Sequence, residues 1–386
     1  MFKLALYTEV FLAPSMTFIF RQLTSLPENW DAFVMTRTRA NELLFPFPRI
    51  FSCGRGIKEK AINKIHRAVG GRFISLSGSC EKHFISVLED EKPDLIHAHF
   101  GTSALEILPV AKRFGIPMIS TFHGFDASFL LSNIQYTKQL KDLFAYSHII
   151  TVSKTMRDQL IRYGADPSRI QCVYIGVPVE KFKKSERTPI IEKVLAKNAI
   201  KFLQVSNFVE KKGHQYTLIA FSKLLGFYPH AKLLFAGDGP LKEKMEALAT
   251  ELGIRDAVEF LGHKGTEDVV ELMKDADCFV HHSVTAVNGD KEGIPTVLME
   301  AMASGLPVIS TIHAGIPELI KTKANGYLVG EKDVESYVSC LFSVLKDDGT
   351  VGKNAQITVN ELFNMNKQIR LLTATYNKLV NETQSD

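Results

Sequence analysis

The stretch "GDKEGIPTVLMEAMASGLPVIST" (Gly289–Thr311) sets the reading of the fold. It passes from a polar loop, through the Gly-Ile-Pro bend of Gly293–Pro295, into a run of good helix formers, Thr296–Ser304. Pro295 suits the first turn of a helix, and Gly305 with Pro307 stops it. The closing "LPVIST" reads as a buried strand. Glu292 therefore lies in the loop and Glu300 within the helix. Amides of Gly293, Ile294 and Thr296 at such a helix start have no intrahelical partners, and with the helix dipole they make a receptor for phosphate. A carboxylate only accepts hydrogen bonds, which suits it to sugar or ribose hydroxyls. By spacing alone, the two glutamates read rather as surface charges on an ordinary helix.

Outward from this stretch, short apolar runs alternate with helical patterns along the whole chain. "KLALYT", "AFVMTR", "DLIHAH", "PMISTF", "HIITVS" and "IQCVYIG" read as strands of a first half. "IKFLQVS", "AKLLFAG", "AVEFLG", "DCFVHHS", "LPVIST" and "NGYLVG" read as those of a second. Strand–helix alternation with β-rich strands predicts an α/β chain with two parallel, doubly wound sheets covered by helices on both faces. The polar stretch Pro178–Lys193 marks the boundary, giving domains 1–182 and 183–365. The amphipathic pattern over about 366–386 predicts a last helix packing back on the first domain. Ligands of such sheets bind at the carboxyl ends of the strands, so a cleft between the domains is the expected site.

The 386 residues are 45% hydrophobic and 23% charged, and their mean hydropathy is +0.02, the composition of a soluble globular protein. No apolar run is long enough to cross a bilayer, and the start "MFKLALYTEVFLAPS" lacks the order of a signal peptide. Cys53, Cys80, Cys172, Cys278 and Cys340 are scattered and form no Cys-x-x-Cys, so neither a disulfide nor a zinc site is expected and a reducing cytoplasm fits. A net charge of +4 gives no case for nucleic acid. That charge is concentrated in Arg55–Arg72, where Lys60, Lys64 and Arg67 share one face of a predicted amphipathic helix. Such a helix lies on anionic lipid, faces an anionic substrate, or is an ordinary solvated face over a core stripe.

Taken together, "EGIPTVLMEAMASGLPVIST" and "GIPELIKTKANGYLV" resemble the donor-site signature of family 4 glycosyltransferases, retaining enzymes that use nucleotide sugars and have the GT-B fold of two Rossmann-like domains. "NFVEKKGH", "LLFAGDGPLK" and "VEFLGHKG" are similar to other elements of that family's second domain. "DLIHAHFG", "STFHGFD", "TVSKTM" and "VYIGVPVEKF" are similar to elements of its first. The lead-in "SVTAVNGDKEGIP" most resembles enzymes of bacterial exopolysaccharide assembly, of the colanic-acid kind.

The resemblance implies roles residue by residue. Glu300 would hold the ribose and Glu292 the donor sugar, with Gly293, Ile294 and Thr296 against the diphosphate and Pro295 shaping the bend. Lys212 matches the family's diphosphate lysine. The usual arginine is replaced by Asn207, a departure for which Lys211 is placed to compensate. His123 would stand by the donor sugar and its phosphate, so the implied catalytic set is His123, Glu292 and Lys212. Gly237 would permit close approach of backbone to donor, and His263 and Lys264 fall where the base is read. Ser15 and Thr17 stand in the loop that faces the acceptor.

Two lookalikes are set aside. "DAD" (Asp275–Asp277) reads as a turn at a helix end, and His97, His99, His281 and His282 lack a third ligand at a convincing spacing. No metal or other cofactor is expected. The implied activity is transfer of a hexose, from UDP-glucose or UDP-galactose, to a glycan or lipid-linked oligosaccharide in exopolysaccharide synthesis. The implied place is the cytoplasm, peripheral to the inner face of the membrane through Arg55–Arg72. A nucleotide-sugar epimerase or phosphorylase of the same fold, or a non-catalytic nucleotide-sugar-binding subunit, remains the alternative.

Overall fold

Strand β1, Phe2–Phe11, pairs in parallel with β2 (Trp30–Arg39) on one side and β4 (Leu95–His99) on the other. With β3 (Ile50–Ser52), β5 (Met118–Phe122), β6 (His148–Thr151) and β7 (Ile170–Cys172) they form a seven-stranded parallel sheet of order β3-β2-β1-β4-β5-β6-β7. Every residue of β4 and β5 is buried, as expected of parallel strands covered on both faces. The computed structural model describes residues 1–12, 16–54 and 74–385. Ser15 and the basic segment Arg55–Arg72 therefore lie outside the described residues.

The pattern restarts with β8 (Ile200–Val205), followed by β9 (Ala231–Ala236), β10 (Val258–Phe260), β11 (Cys278–Val280), β12 (Val308–Thr311) and β13 (Tyr327–Val329). Their parallel order is β10-β9-β8-β11-β12-β13. In each sheet the order reverses direction at one place, between β1 and β4 and between β8 and β11. These are the topological switch points, where a crevice opens at the carboxyl ends of the strands.

The chain divides into Met1–Gly176 with Asn366–Asp386, and Val177–Met365. The first crossing falls before residue 182 because Val179 and Phe182, in the short helix Val179–Phe182, bury their side chains within the second unit. The polar stretch that follows is no free linker. Arg187 donates to the carbonyls of Met273, Ala276 and Ser304, capping two helix ends whose last carbonyls lack partners. The helix Met365–Ser385 returns to the first unit. There Tyr376 is fully buried and Asn377 accepts from the indole of Trp30 at 3.1 Å.

One expectation fails. Cys53, just past β3, and Cys80, in the first turn of the helix Gly78–Glu91, form a disulfide with Cα atoms 5.3 Å apart. They are separated by 27 residues in sequence, and the fold alone brings the edge strand to that helix end, so no spacing rule revealed the pair. The case from cysteine usage for a reducing compartment loses its basis.

Candidate functional site

In the second unit the switch point is lined by the segments that follow β8 and β11. Beyond β8 the chain makes a tight turn, Glu210–Lys212, and enters the helix His214–Leu225 through Gly213. Gly213 has a φ of +60°, and a side chain there would meet the carbonyl oxygen of His282 at 1.9 Å. Glycine is thus what lets the lysine turn close on the end of β11. The Lys212 carbonyl accepts from the amide of buried Gln204 at 2.9 Å, which fixes the turn from beneath.

Onto this turn the loop after β11 places its acids. Glu292 Oε1 lies 3.0 Å from Lys212 Nζ and 3.6 Å from Lys211 Nζ, and Lys211 also meets Asp290 at 2.9 Å. Burial opposes ionisation of Glu292, whose side chain is 11% exposed, but the two ammonium groups outweigh it and hold its pKa down at about 2. The cluster is therefore a carboxylate between two cations. The helix Thr296–Ala303 follows, with Pro295 as its cap residue rather than in its first turn. Gly293, Ile294 and Pro295 are buried, Thr296 is half-buried, and Glu300 lies buried on the helix.

The Glu292 loop has a support that sequence reading missed. The Glu292 amide donates to His313 Nε2 at 3.1 Å, and His313 Nδ1 lies 2.7 Å from Glu331 Oε1. An amide offers only a hydrogen, so Nε2 is bare and the ring proton sits on Nδ1, donating to Glu331. His313 and Glu331 showed no signal in sequence because each matters only through segments brought together by folding.

Around Gly237 three strand ends converge. Gly237 donates to the Gly262 carbonyl at 2.8 Å, and a side chain at Gly237 would strike the Ser206 carbonyl. His263, next in the chain, is exposed and Lys264 half-buried. Asn207 is exposed, and among the described residues no side-chain hydrogen bond or ion pair ties it to the Lys211–Glu292 cluster. Asp275 and Asp277 of "DAD" are engaged by Lys201 and Lys193, as a structural turn requires.

In the first unit the third histidine absent from the local spacing comes from the next strand. His97, His99 and His123 stand side by side, with His99 Nδ1 3.0 Å from His123 Nε2. His97 Nδ1 meets Tyr376 at 2.6 Å and Nε2 meets Thr121 at 2.7 Å, so both its nitrogens are occupied within the protein. Burial lowers all three pKa values, that of His99 to about 3, and the rings are neutral. Among the described residues no group of three or more His, Cys, Asp or Glu is arranged to hold a metal ion. Asp126 fixes the His123 segment by accepting from the amides of Gly101, His123 and Gly124 at 2.8–3.0 Å. Thr17 opens the helix Thr17–Thr24, whose Phe18 packs on the His123 ring at 4.8 Å.

Two units, each a parallel sheet with one topological switch point, are the architecture of a GT-B sugar transferase. The family model described as "Glycosyltransferase Family 4" matches residues 47–181, and that described as "Glycosyl transferases group 1" matches 186–360. The chain belongs to the family 4 glycosyltransferases, and its fold is GT-B. It is 30% identical over 326 residues to the putative colanic acid biosynthesis glycosyltransferase WcaL of Escherichia coli (strain K12), covering 80% of this chain and 77% of that one. It is 24% identical over 308 residues to the UDP-Gal:alpha-D-GlcNAc-diphosphoundecaprenol alpha-1,3-galactosyltransferase of Escherichia coli, covering 76% and 78%. The crystal structure of HepE from Anabaena in complex with UDP-glucose shares the fold, with a TM-score of 0.79 at 17% identity over 98% of this chain and all of that one.

Proposed function

We propose that this glycosyltransferase moves glucose or galactose from its UDP-sugar to a hydroxyl of a glycan or lipid-linked oligosaccharide in exopolysaccharide assembly, with retention of configuration. The observation that carries the reading is the Lys211–Lys212–Glu292 cluster at the β8/β11 switch point. Lys212 neutralises the departing diphosphate, helped by Lys211 and the helix start at Gly293–Thr296. Glu292 binds sugar hydroxyls and Glu300 those of the ribose. His123 supports leaving-group departure. The bond from sugar C1 to the diphosphate oxygen breaks, the acceptor oxygen bonds C1 on the same face, and the acceptor proton passes to the departing phosphate. No metal is required.

A UDP donor is supported by the UDP-glucose bound to HepE and the UDP-Gal in the name of the Escherichia coli relative. A lipid-linked acceptor is supported by that relative's name alone. A donor panel scored for nucleoside diphosphate release, with and without acceptor, for the native protein and Glu300→Ala, tests the reading. Tight binding with no release from any donor sinks it and favours the non-catalytic alternative, to which the exposed Asn207 lends weight. An altered sugar formed without acceptor would instead mark an epimerase. Peripheral membrane attachment through Arg55–Arg72 is proposed from sequence, and is refuted if neutralising Lys60, Lys64 and Arg67 leaves co-sedimentation with anionic vesicles unchanged.

A further inference from the structure

The loop from Val284 to Gly293 has no regular strand or helix to hold it, yet it must aim the Glu292 carboxylate to within an ångström. Its backbone is tied at named points. Val284 donates to the Lys211 carbonyl at 3.0 Å, and Val287 donates to Glu210 at 3.0 Å. Thr285 donates to Glu331 twice, from its amide at 2.8 Å and its hydroxyl at 3.1 Å. Glu292 donates its own amide to His313, which donates in turn to the same Glu331. One carboxylate thus secures both ends of the loop, directly at Thr285 and through an imidazole at Glu292.

We infer that His313, locked by Glu331 with its proton on Nδ1, is the positioning residue of Glu292. This rests on the reading of Glu292 as the donor-sugar ligand. His313 is 1% exposed and touches no part of the ion cluster with a charge, so it acts through the direction of the Glu292 backbone. Its bare Nε2 is essential, since a proton there would face the amide hydrogen. Gly315, two residues on, donates to the Gly293 carbonyl at 3.2 Å, so the same turn grips the loop on both sides of the Glu292–Gly293 peptide.

The test compares His313→Leu, of similar bulk and no acceptor, with His313→Gln, whose Oε1 can stand where Nε2 stands. Without ligand, amide hydrogen exchange in a peptide spanning Asp290–Gly293 is expected to speed by about tenfold or more in the leucine variant and to recover in the glutamine variant. With UDP-glucose and UDP-galactose, each measured against UDP alone, the leucine variant loses about tenfold in sugar-dependent affinity while UDP binding is retained. In a Glu292→Gln background, His313→Leu causes no further loss. Unchanged exchange overturns the inference, as does equal loss of UDP and UDP-sugar binding or additive losses in the double variant. If His313→Leu fails to fold by thermal melt, Glu331→Gln, which weakens the hold on Nδ1–H, takes its place with the same readouts. If Glu292→Gln alone leaves UDP-sugar affinity unchanged, the reading of Glu292 fails, and exchange alone judges the brace.

Discussion

Lys212 Nζ stands 3.0 Å from Glu292 Oε1, joining the turn after β8 to the loop after β11 across the point where the sheet order reverses. Under the proposed function, the diphosphate of a bound donor would compete with Glu292 for the ammonium, and sugar hydroxyls would compete with Lys212 for the carboxylate.

That arrangement has a pH signature. Glu292 falls from 4.5 to about 2 on folding, because the lysines outweigh the cost of its burial. Its contribution, about 3 kcal/mol, is complete above pH ~4.5 and is lost as pH drops toward 2. Thermal melts of native protein and Glu292→Gln should differ by a constant gap above pH ~5, closing below it. A gap that widens on acidification would contradict the assignment.

The two lysines are not equivalent. Lys211 is shared with Asp290, whereas Lys212 meets only Glu292 among the ion pairs found in the described residues. Lys212→Met is expected to lower kcat about hundredfold, and Lys211→Met about tenfold or less. Steady-state kinetics with the accepted donor measure both, and an equal or reversed ranking would count against Lys212 as the chief phosphate partner.

Acid should unfold the protein through its histidines. His97, His99, His123, His214, His281 and His282 are all held below their ordinary pKa, burial being the largest cause for each. The unfolded chain then binds more protons than the folded one below pH ~6.5. Stability is full above that value and falls beneath it by up to about 1.4 kcal/mol per pH unit for each ring. Denaturant titrations from pH 7.5 to 5 should show this slope, and His97→Gln should reduce it by about one ring's share.

The cysteine pairing is checked by counting thiols. The unfolded, unreduced protein should show three reactive thiols, from Cys172, Cys278 and Cys340, and five after reduction. Loop closure between Cys53 and Cys80 is worth about 3 kcal/mol, so Cys53→Ser should lower stability by that order.

Twelve of the strands could be read from sequence as short β-rich runs alternating with helical patterns, the central ones continuous and apolar because both their faces are covered. The exception, β3, is no shorter than the edge strands β7, β10 and β13, but it follows Pro46 and Pro48 with no helical pattern before it, and its pairing with β2 makes it a strand. Lys212, Glu292 and Glu300 were singled out through the family resemblance of the motifs around them, not by spacing, and the structure places Lys212 and Glu292 side by side. Gln204, His313 and Glu331 were not: each touches residues from a different strand end, and a single buried imidazole looks the same in sequence whether it braces a loop or fills a core. The His97–His99–His123 row was half visible, its third member supplied by the neighbouring strand.

The return of the helix Met365–Ser385 to the first unit has a consequence for synthesis on the ribosome. Val177–Met365 can close as soon as it emerges, whereas Met1–Gly176 waits for the last helix to be made. Until then Trp30 lacks the partner Asn377 and His97 lacks Tyr376, whose ring links the tail to the histidine row. The half of the protein translated first is therefore the half completed last, and shortening the chain from its far end strikes at its beginning.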